Sequence, residues 1–555
     1  MKTSSQDIWA EYNRLKGENA STDLYDTVKK NENFFIGKQW EGVNAPRGME
    51  KPVFNILKRV VSYFVSLIVS DDVAANVSLF GRSGDSKTDE FLHIVSEQIE
   101  ETFENTKIKA KNRDAIRNAA VDGDACFYMS FNPDVEIGQD AKGMIDIELI
   151  DNTNILFGNP QVWDIQKQPY VIIVSRRTID SVREEAKERG LRQSEINAIQ
   201  PDEWEDNDEE NGKVTVLTKL FKKGKTIHLI KTTANITLQK DTDLGYQLYP
   251  VAWFSWDKVK NSYHGQAAVT GLIPNQIFIN KLFAMSMEHV RNMAFPKVIY
   301  NQRMIPEGWN NDVGAAIGVN GEPNMAIATG FRAPDMSNQV LVLIDTVIQY
   351  TRDTMGASDA ALGNVRPDNT SAIIAVQKAS AMPLELQRMA FYQFVEDYVR
   401  IFIDIMRVDY GIRNVATVDE KGNITTAPID FSQLNDMNLK LNVEVGASTY
   451  WSELMQVQTI DNLFSMGIIT DAITYLESVP DGYIHNKQKL INKIKEQQDV
   501  MNQAATAQLG LGDASMAAMP SGGGNEADLL AMLGNMPVQG RGAAMPMAGG
   551  QMPIM

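Results

Sequence analysis

The chain is poor in cysteine, poor in histidine and free of long apolar runs, and each scarcity removes a class of protein. The one cysteine, Cys126, excludes an intramolecular disulfide and favours a reducing compartment. The five histidines are scattered, without His-Glu-x-x-His or Cys/His ligand spacing, so no zinc site is predicted. No run reaches the roughly 18 apolar residues of a membrane span, and the first residues lack an apolar signal core. We therefore expect a cytosolic product without an export signal and without a membrane partner.

Positive charge is also scarce. The sequence has 53 Lys and Arg against 71 Asp and Glu, which gives a formal net charge of −18. Such a surface argues against wrapping nucleic acid through a basic patch. It is compatible with a protein past which DNA slides, because a repelling wall prevents sticking. At 555 residues, with 43% hydrophobic and 22% charged residues, the chain is typical of a globular protein with two to four domains.

Catalytic motifs are missing as well. There is no Gly-x-x-x-x-Gly-Lys-Ser/Thr phosphate loop and no Gly-x-Ser-x-Gly nucleophile elbow. Cys126 lies in the apolar run ACFYMSF, which favours a buried structural thiol over a nucleophile. No catalytic, cofactor-binding or metal-binding residue is therefore predicted, and no cofactor. A carboxylate-dependent enzyme that processes DNA remains an alternative, because acidic residues are plentiful.

Two clusters of acidic residues could be either metal sites or ordinary loops and turns. The run PDEWEDNDEE, residues 201–210, holds seven carboxylates, and clustered carboxylates can bind Ca²⁺ or Mg²⁺. No EF-hand spacing accompanies it, so we interpret it as a solvated, self-repelling loop. Asp122-Gly123-Asp124 lies between a predicted helix and a predicted strand. We interpret it as a turn.

Periodicity divides the chain at about residue 260. Up to that point the pattern alternates between helical and strand segments, which predicts an α+β domain. The predicted helices cover 5–30 with a break near 17–21, 55–69, 87–105, 107–122 and 178–190. The predicted strands cover 73–80, 125–131, 144–150, 170–175, 214–221, 226–231 and 251–255.

Beyond residue 260, two long helical patterns flank a short Pro/Gly/Asn-rich insert. The first runs over 265–293 and would span roughly 43 Å at about 1.5 Å per residue. The second runs over 338–355, and its spacing predicts that Leu341 and Ile344 are buried. A further helix is expected over 370–410, with a kink or break at Pro383. A long helix pair with an insert at its far end suggests a lever or a channel wall, not a catalytic pocket.

The order of several segments resembles the portal proteins of tailed double-stranded DNA bacteriophages, over about residues 31–495. The matching segments are individually loose, but they occur in a shared order over most of the chain. They are NFFIGKQW with the following KPVFN, AAVDGDACFYMSF, IELIDNTNILFGNP with YVIIVSRRTIDSVREEAKERG, and GASDAALGNVRPDNTSAIIAVQ.

The resemblance implies a portal-like α+β fold and a division of the chain into functional regions. Portal proteins form a ring, typically of twelve subunits, at one vertex of the capsid. The implied regions are an α+β wing (1–260), a first stem helix (261–295), a small α/β clip (296–336), a second stem helix (337–355), a tunnel loop (356–370), a kinked long wing helix with return strands (371–448), a helical crown (449–503) and a disordered Gly/Ala/Met-rich tail (504–555).

The resemblance also implies partners and contact residues. The partners would be further copies of the chain, the major capsid protein, a scaffold protein, the large terminase subunit, a head-tail adaptor and double-stranded DNA that passes without sequence specificity. The chain would be part of the virion, assembled in the host cytoplasm. DNA-facing candidates in the tunnel loop are Ser358, Asn364, Arg366 and Asn369; candidates for terminase or adaptor contact at the clip are Arg291, Lys297 and Arg303.

Alternatives stay open for these assignments. Without the resemblance, the tunnel loop would be interpreted as an ordinary helix-helix connection with a polar surface. Ordinary solvated charges explain the three clip cations about as well. Another virion neck or connector protein would share the structural character, although the helix pair with its insert disfavours it. Within the tail, residues 527–536 form a candidate docking helix.

Overall fold

The structure is a computed structural model, and it describes most of the chain up to residue 479. The described residues are 4–45, 48–69, 73–79, 86–136, 142–202, 212–294, 297–308, 318–322, 328–331, 338–354, 382–418, 424–437, 439–445, 450–469, 471–479, 487, 490–491 and 493–495. The chain divides into two compact units, Met1–Ser452 and Glu453–Met555.

Helices and sheets are both present, so the predicted α+β class is confirmed, whereas the portal-like arrangement remains an expectation. The helices are α1 (Ser5–Ser21), α2 (Leu24–Ile36), α3 (Ile56–Ile68), α4 (Ser86–Asn105), α5 (Ile108–Asp122), α6 (Ile179–Glu188), α7 (Gln193–Asn197), α8 (Ala268–Ala294), α9 (Asn338–Thr354), α10 (Glu385–Ile405), α11 (Tyr450–Ser465) and α12 (Ala472–Ser478).

The strands of the described residues form five antiparallel sheets. They are β1 (Val73–Leu79), β2 (Asp124–Asn132), β3 (Met144–Ile150), β4 (Ile155–Phe157), β5 (Tyr170–Thr178), β6 (Lys213–Lys223), β7 (Thr226–Thr232), β8 (Thr237–Asp243), β9 (Val251–Ser255), β10 (Lys297–Tyr300), β11 (Ala328–Phe331), β12 (Ile412–Val418), β13 (Ile424–Asp430) and β14 (Leu439–Val445). The strand orders are β4-β5-β6-β7-β8 and β3-β2-β9, and the two-stranded pairs are β1-β14, β10-β11 and β12-β13.

The largest core joins α3, α5 and α10 to the sheet β3-β2-β9. Helix α3 begins at a good cap, because the Asn55 side chain accepts the Lys58 amide at 3.0 Å. Its apolar residues recur every three or four positions, so one face is buried. Aromatic rings of α10 fill the centre: Tyr398 packs between Phe394 and Phe402, with Phe127 of β2 alongside. This core extends from Phe34 to Leu434, well past residue 260.

Helix α1 covers one face of the five-stranded sheet. Ile8 and Leu15 are buried there against strand residues such as Leu217 and Ile230. A buried cation, Lys219, reaches from β6 to the Glu11 carboxylate of α1. The N-terminal helix is therefore held by both apolar packing and an ion pair.

The second unit is described by α11, α12 and a few residues that follow them. Phe464 packs on Tyr475 with ring centroids 4.8 Å apart. The Tyr475 hydroxyl donates a hydrogen bond to Asp461 at 2.5 Å. These contacts fasten the two helices to each other. The predicted tail, 504–555, lies outside the described residues.

Most predicted elements before residue 260 match the structure within a few residues. The predicted first helix is two helices, because Asp23 adopts a left-handed conformation (φ 55°) that separates α1 from α2. Asp122-Gly123-Asp124 is a turn, as predicted, since Gly123 has φ 103° and its amide bonds the Ala119 carbonyl. Most of the acidic run, 203–210, lies outside the described residues.

Candidate assembly surface

Buried amide side chains fix the first half of helix α8. Gln276 donates to the Phe54 carbonyl at 2.7 Å and accepts the Ile56 amide at 3.1 Å. Asn280 donates to the Gln39 side chain at 2.7 Å. Both α8 side chains are almost fully buried, so each lost bond would leave an unsatisfied polar group. The base of α8 is therefore rigidly attached to the segment between α2 and α3.

A short ribbon joins the far end of α8 to the beginning of α9. Strand β10 starts three residues after α8 ends, and Lys297 pairs with Phe331 of β11. Helix α9 begins at Asn338. The chain thus leaves along α8, turns in a ribbon and returns along α9, which packs on α8.

The contact between α8 and α9 is narrow. Ile344 is 4% exposed and Thr351 lies one heptad later on the same buried seam. The Thr351 hydroxyl donates to the Val347 carbonyl at 2.7 Å, which satisfies it within its own helix. On α8, the His289 Nε2 atom is buried and finds no hydrogen-bond partner among the described residues. The buried face of α9 thus includes a polar residue whose hydroxyl is satisfied within its own helix.

Large apolar side chains are exposed on the rest of the helix pair. Val342 is 64% exposed and Tyr350 is 69% exposed, although both belong to helix α9. We call this set the α8–α9 apolar surface. Its members are Met285, Met287, Val290, Met293, Leu341, Val342, Leu343 and Tyr350.

The prediction for α9 was right for one residue and wrong for another. Ile344 is buried as expected, but Leu341 is 51% exposed in the single chain. The reason is that apolar residues occupy more than one face of α9, and the face of Leu341 is not covered. The run Val340 to Ile344 was the available signal, since five consecutive apolar residues exceed what one amphipathic stripe needs.

The predicted clip cations occupy three different elements. Arg291, on α8, lies 2.8 Å from Glu288 and 3.9 Å from Glu50, so nearby carboxylates offset its charge. Lys297 is the first residue of β10. Arg303 follows β10 in an exposed turn, where its amide bonds the Asn301 side chain at 3.0 Å. The tunnel-loop residues Ser358, Asn364, Arg366 and Asn369 lie outside the described residues.

A buried Asp–His pair lies away from this surface and ties α1 to the segment before α8. His264 Nδ1 is 2.9 Å from the Asp124 carboxylate, which also accepts the Gly265 amide at 2.8 Å. The other ring nitrogen, Nε2, is 3.3 Å from the Asn19 amide nitrogen of α1. All three side chains are buried, so the pair joins elements and offers no open position to a substrate.

In the part of the chain that the structure describes, the other polar side chains do not form a recognisable metal-binding or catalytic site. No group of three or more His, Cys, Asp or Glu there is arranged to hold a metal ion. Burial raises the pKa of the Cys126 thiol well above its ordinary value, in keeping with its predicted structural role. Within the same residues, no helix combines the length and apolar character needed to span a bilayer.

Comparison with known proteins does not identify the chain. No protein family matches it, and no curated protein shows significant similarity to it. The case for a function therefore rests on the α8–α9 apolar surface and on the sequence.

Proposed function

We propose that the chain is a phage portal protein, which assembles with further copies into a ring of about twelve at one capsid vertex. The ring would provide the channel for DNA packaging and ejection, and would dock the terminase and later the neck or tail adaptor. It would belong to the virion after assembly in the host cytoplasm with scaffold and major capsid protein. The chain itself would carry no active site.

The α8–α9 apolar surface is the observation that carries this proposal. Apolar area exposed to water costs about 25 cal/mol per Å² relative to burial. Several large apolar side chains exposed on one helix pair therefore mark a place where another molecule is expected to bind. A helix pair that exposes apolar residues on several sides is suited to lie between two neighbours, as a ring of identical subunits requires.

The shape of the same region supports the proposal. Helix α8 has 27 residues and so spans about 40 Å at about 1.5 Å per residue. Its buried amides hold one end, and the small ribbon β10-β11 caps the other. This is the form expected for a portal stem with its clip. The net charge of −18 supports a channel wall that repels passing phosphates.

Negative-stain microscopy of the full-length protein, alone and with its scaffold protein, tests the proposal. We expect rings with an axial hole and about twelvefold symmetry, at roughly 740 kDa for twelve copies of the 61.8-kDa chain. A chain that stays monomeric or dimeric even with scaffold present would contradict the portal assignment. Metal-dependent nuclease activity would then be the next assay.

Paired variants separate assembly from folding. Val342→Asp places a charge on the exposed surface, so we expect a folded monomer with its thermal stability unchanged and ring formation lost. Ile344→Asp buries an unpaired charge, so we expect a drop of about 3 kcal/mol or more in the free energy of unfolding. Asp345→Asn, on the exposed side of the same helix, is the control. It should neither prevent ring formation nor lower the free energy of unfolding. Normal rings from Val342→Asp would show that this surface does not lie between subunits.

A further inference from the structure

Within the described part of the chain, strand β14 is an edge strand with one open side. Among the described residues it pairs only with β1, over seven residues in unbroken antiparallel register from Leu79↔Leu439 to Val73↔Val445. A two-stranded ladder is at best marginally stable by itself, and further strands stabilise it. The open side of β14 is therefore a position where another strand would add stability.

The direction of the backbone groups on β14 follows from a contact of β1. The Val77 amide donates to the Ser96 hydroxyl at 3.0 Å, so it points away from β14. In an antiparallel ladder the backbone N–H and C=O groups of two paired residues either both face each other or both face outward, and these two kinds of pair alternate along the ladder. Leu441, opposite Val77, thus directs its amide and carbonyl to the open side, as do Leu439 and Val443. No hydrogen bond to these outward groups occurs in the described part of the chain.

Several other edge strands of the described chain carry features that hinder pairing with a further strand. Strand β13 contains Pro428, and β8 is interrupted by register shifts against β7. Strand β4 is three residues long, and the outer side of β1 is met by Ser96. Prolines, irregularities and short length are the ordinary means of preventing edge-to-edge pairing. Strand β14 has none of these, and is long and regular.

The sequence of β14 is complementary to itself. It reads Leu-Lys-Leu-Asn-Val-Glu-Val, with apolar residues at every second position. If a second copy of β14 pairs antiparallel with the first and Asn442 lies opposite Asn442, then Lys440 of each copy lies opposite Glu444 of the other. The sheet therefore contains two such lysine–glutamate pairs. This centred register also sets 441 opposite 443 and 439 opposite 445, apolar opposite apolar. These odd positions are the ones whose backbone groups face the open side, so register and hydrogen bonding agree.

A groove lies beside this strand. Its volume is about 290 Å³, and its apolar lining comes from Leu248, Ile403, Leu439 and Leu441. Its charged groups are largely balanced, since Arg407 contacts Asp404 at 2.6 Å and Arg400 contacts Glu396 at 2.5 Å. In the centred register, the apolar positions of an added strand fall on the same face as Leu439 and Leu441. A neutral, apolar occupant is what such a groove accepts.

We propose that β14 of one copy pairs antiparallel with β14 of a second copy, about a two-fold axis at Asn442, to give a dimer with a continuous β1-β14-β14-β1 sheet. A two-fold contact cannot repeat around a single ring. The dimer is therefore a form of the unassembled chain, and it does not depend on the proposed function.

Charge reversal tests this pairing in the full-length chain. We expect sedimentation velocity without scaffold, at concentrations too low for rings, to show a wild-type dimer of about 124 kDa, twice the 61.8-kDa chain. In the Lys440→Glu variant, two negative side chains face each other in both cross-strand pairs. In the Glu444→Lys variant, two positive side chains do. Each should weaken the dimer by about tenfold or more. An equimolar mixture of the two variants should dimerise again, because every cross-strand pair is then of opposite charge.

The double variant Lys440→Glu/Glu444→Lys is the matched control and should dimerise like the wild type. The ladder with β1 tolerates all these changes, because position 440 faces Ser78 and position 444 faces Ala74, both uncharged. Leu441→Pro supplies an independent test, since it removes an outward amide without removing a β1 hydrogen bond. A monomeric wild type, single variants that dimerise normally, or a mixture that stays monomeric would each overturn the pairing. Ring images of the same samples report separately on the proposed function.

Discussion

Asp122, the last residue of α5, is a half-buried carboxyl group with no good counterion. Burial raises its pKa from 3.8 to about 7, and Glu32, Asp151 and Asp124 add to the effect, while Arg117 opposes it. Its Oδ1 atom has no hydrogen-bond partner among the described residues. The negative end of the helix also disfavours a carboxylate at this position.

The raised pKa makes the wild type less stable as the pH rises. Between pH 4 and pH 7 the folded chain keeps this proton while the unfolded chain releases it, so stability falls across that window and levels off above it. Asp122→Asn removes the titration. We expect the variant to be more stable than the wild type at pH 8, by on the order of 1–2 kcal/mol after allowance for solvent screening. Thermal melts from pH 4 to pH 8 measure the difference.

An exposed aspartate of the same helix provides the control for that experiment. Asp114→Asn changes a side chain on the exposed surface of α5, so it should leave the stability at pH 8 close to that of the wild type. If Asp122→Asn kept the wild-type slope between pH 4 and pH 7, the carboxyl would not be the group responsible. A variant less stable than the wild type at pH 8 would show that the carboxylate makes a favourable contact.

Lys219 and Glu11 form the second residue-scale case. Lys219 is fully buried, with its ammonium group 4.5 Å from the centre of the Tyr170 ring. Removing only the Glu11 charge leaves a buried cation without its carboxylate, a change that costs about 3 kcal/mol or more. We expect Glu11→Gln to speed hydrogen exchange throughout α1 while α5 is unaffected. Lys219→Met should lower the free energy of unfolding by less than Glu11→Gln does. Adding Glu11→Gln to Lys219→Met should change that free energy little. An equal loss from every variant would mean that the ion pair does not hold the helix.

At the scale of elements, the junction of α5, β2 and the segment before α8 depends on a close approach of two glycines. Gly123 has φ 103°, and a methyl group there would lie 2.6 Å from the Gly265 carbonyl oxygen. Gly123→Ala should therefore destabilise the chain by about 3 kcal/mol or more, through both strain and collision. Gly224→Ala is the control, because Gly224 also has a positive φ but nothing within 4 Å. It should cost only about 1 kcal/mol. Similar melting temperatures for the two variants would mean that the chain relaxes at Gly123.

The same junction shows how far sequence reasoning reaches. The turn at Gly123 is local, so the helix stop signal and the following strand pattern predicted it. The meeting of Gly123 with Gly265 is not local, and no pattern within either segment signals it. Likewise, periodicity predicted α3 and α9 within about two residues, because both carry a strong local pattern. It missed β8, whose polar residues lack the alternation of a half-buried strand.

The candidate surface was predicted only in part for a related reason. Periodicity indicates that a helix has an apolar face, but it does not tell how many neighbours are present to cover it. Leu341 and Ile344 are three residues apart in one apolar run, and only the packing of α8 distinguishes them. The self-complementarity of β14 was readable in the sequence, but its significance depends on knowing which side of the strand is open.

At the scale of the whole molecule, the net charge of −18 opposes any assembly of many copies. In the proposed ring, twelve such chains would repel one another, and the α8–α9 apolar surface would have to overcome that repulsion. Salt screens exposed charges over a Debye length of about 10 Å at 0.1 M, while apolar contacts are little weakened by it. Assembly of the ring should thus become easier as the salt concentration rises.

We expect the protein concentration at which half the chains are in rings to fall several-fold between 0.05 M and 0.5 M NaCl, as measured by mass photometry. The β14 dimer should respond less strongly, because the salt that screens the repulsion between its two chains also screens its cross-strand ion pairs. Following both species in one titration therefore distinguishes the two interfaces within a single sample. Rings that dissociate with rising salt would show that ion pairs between subunits, and not the apolar surface of the helix pair, hold the assembly together.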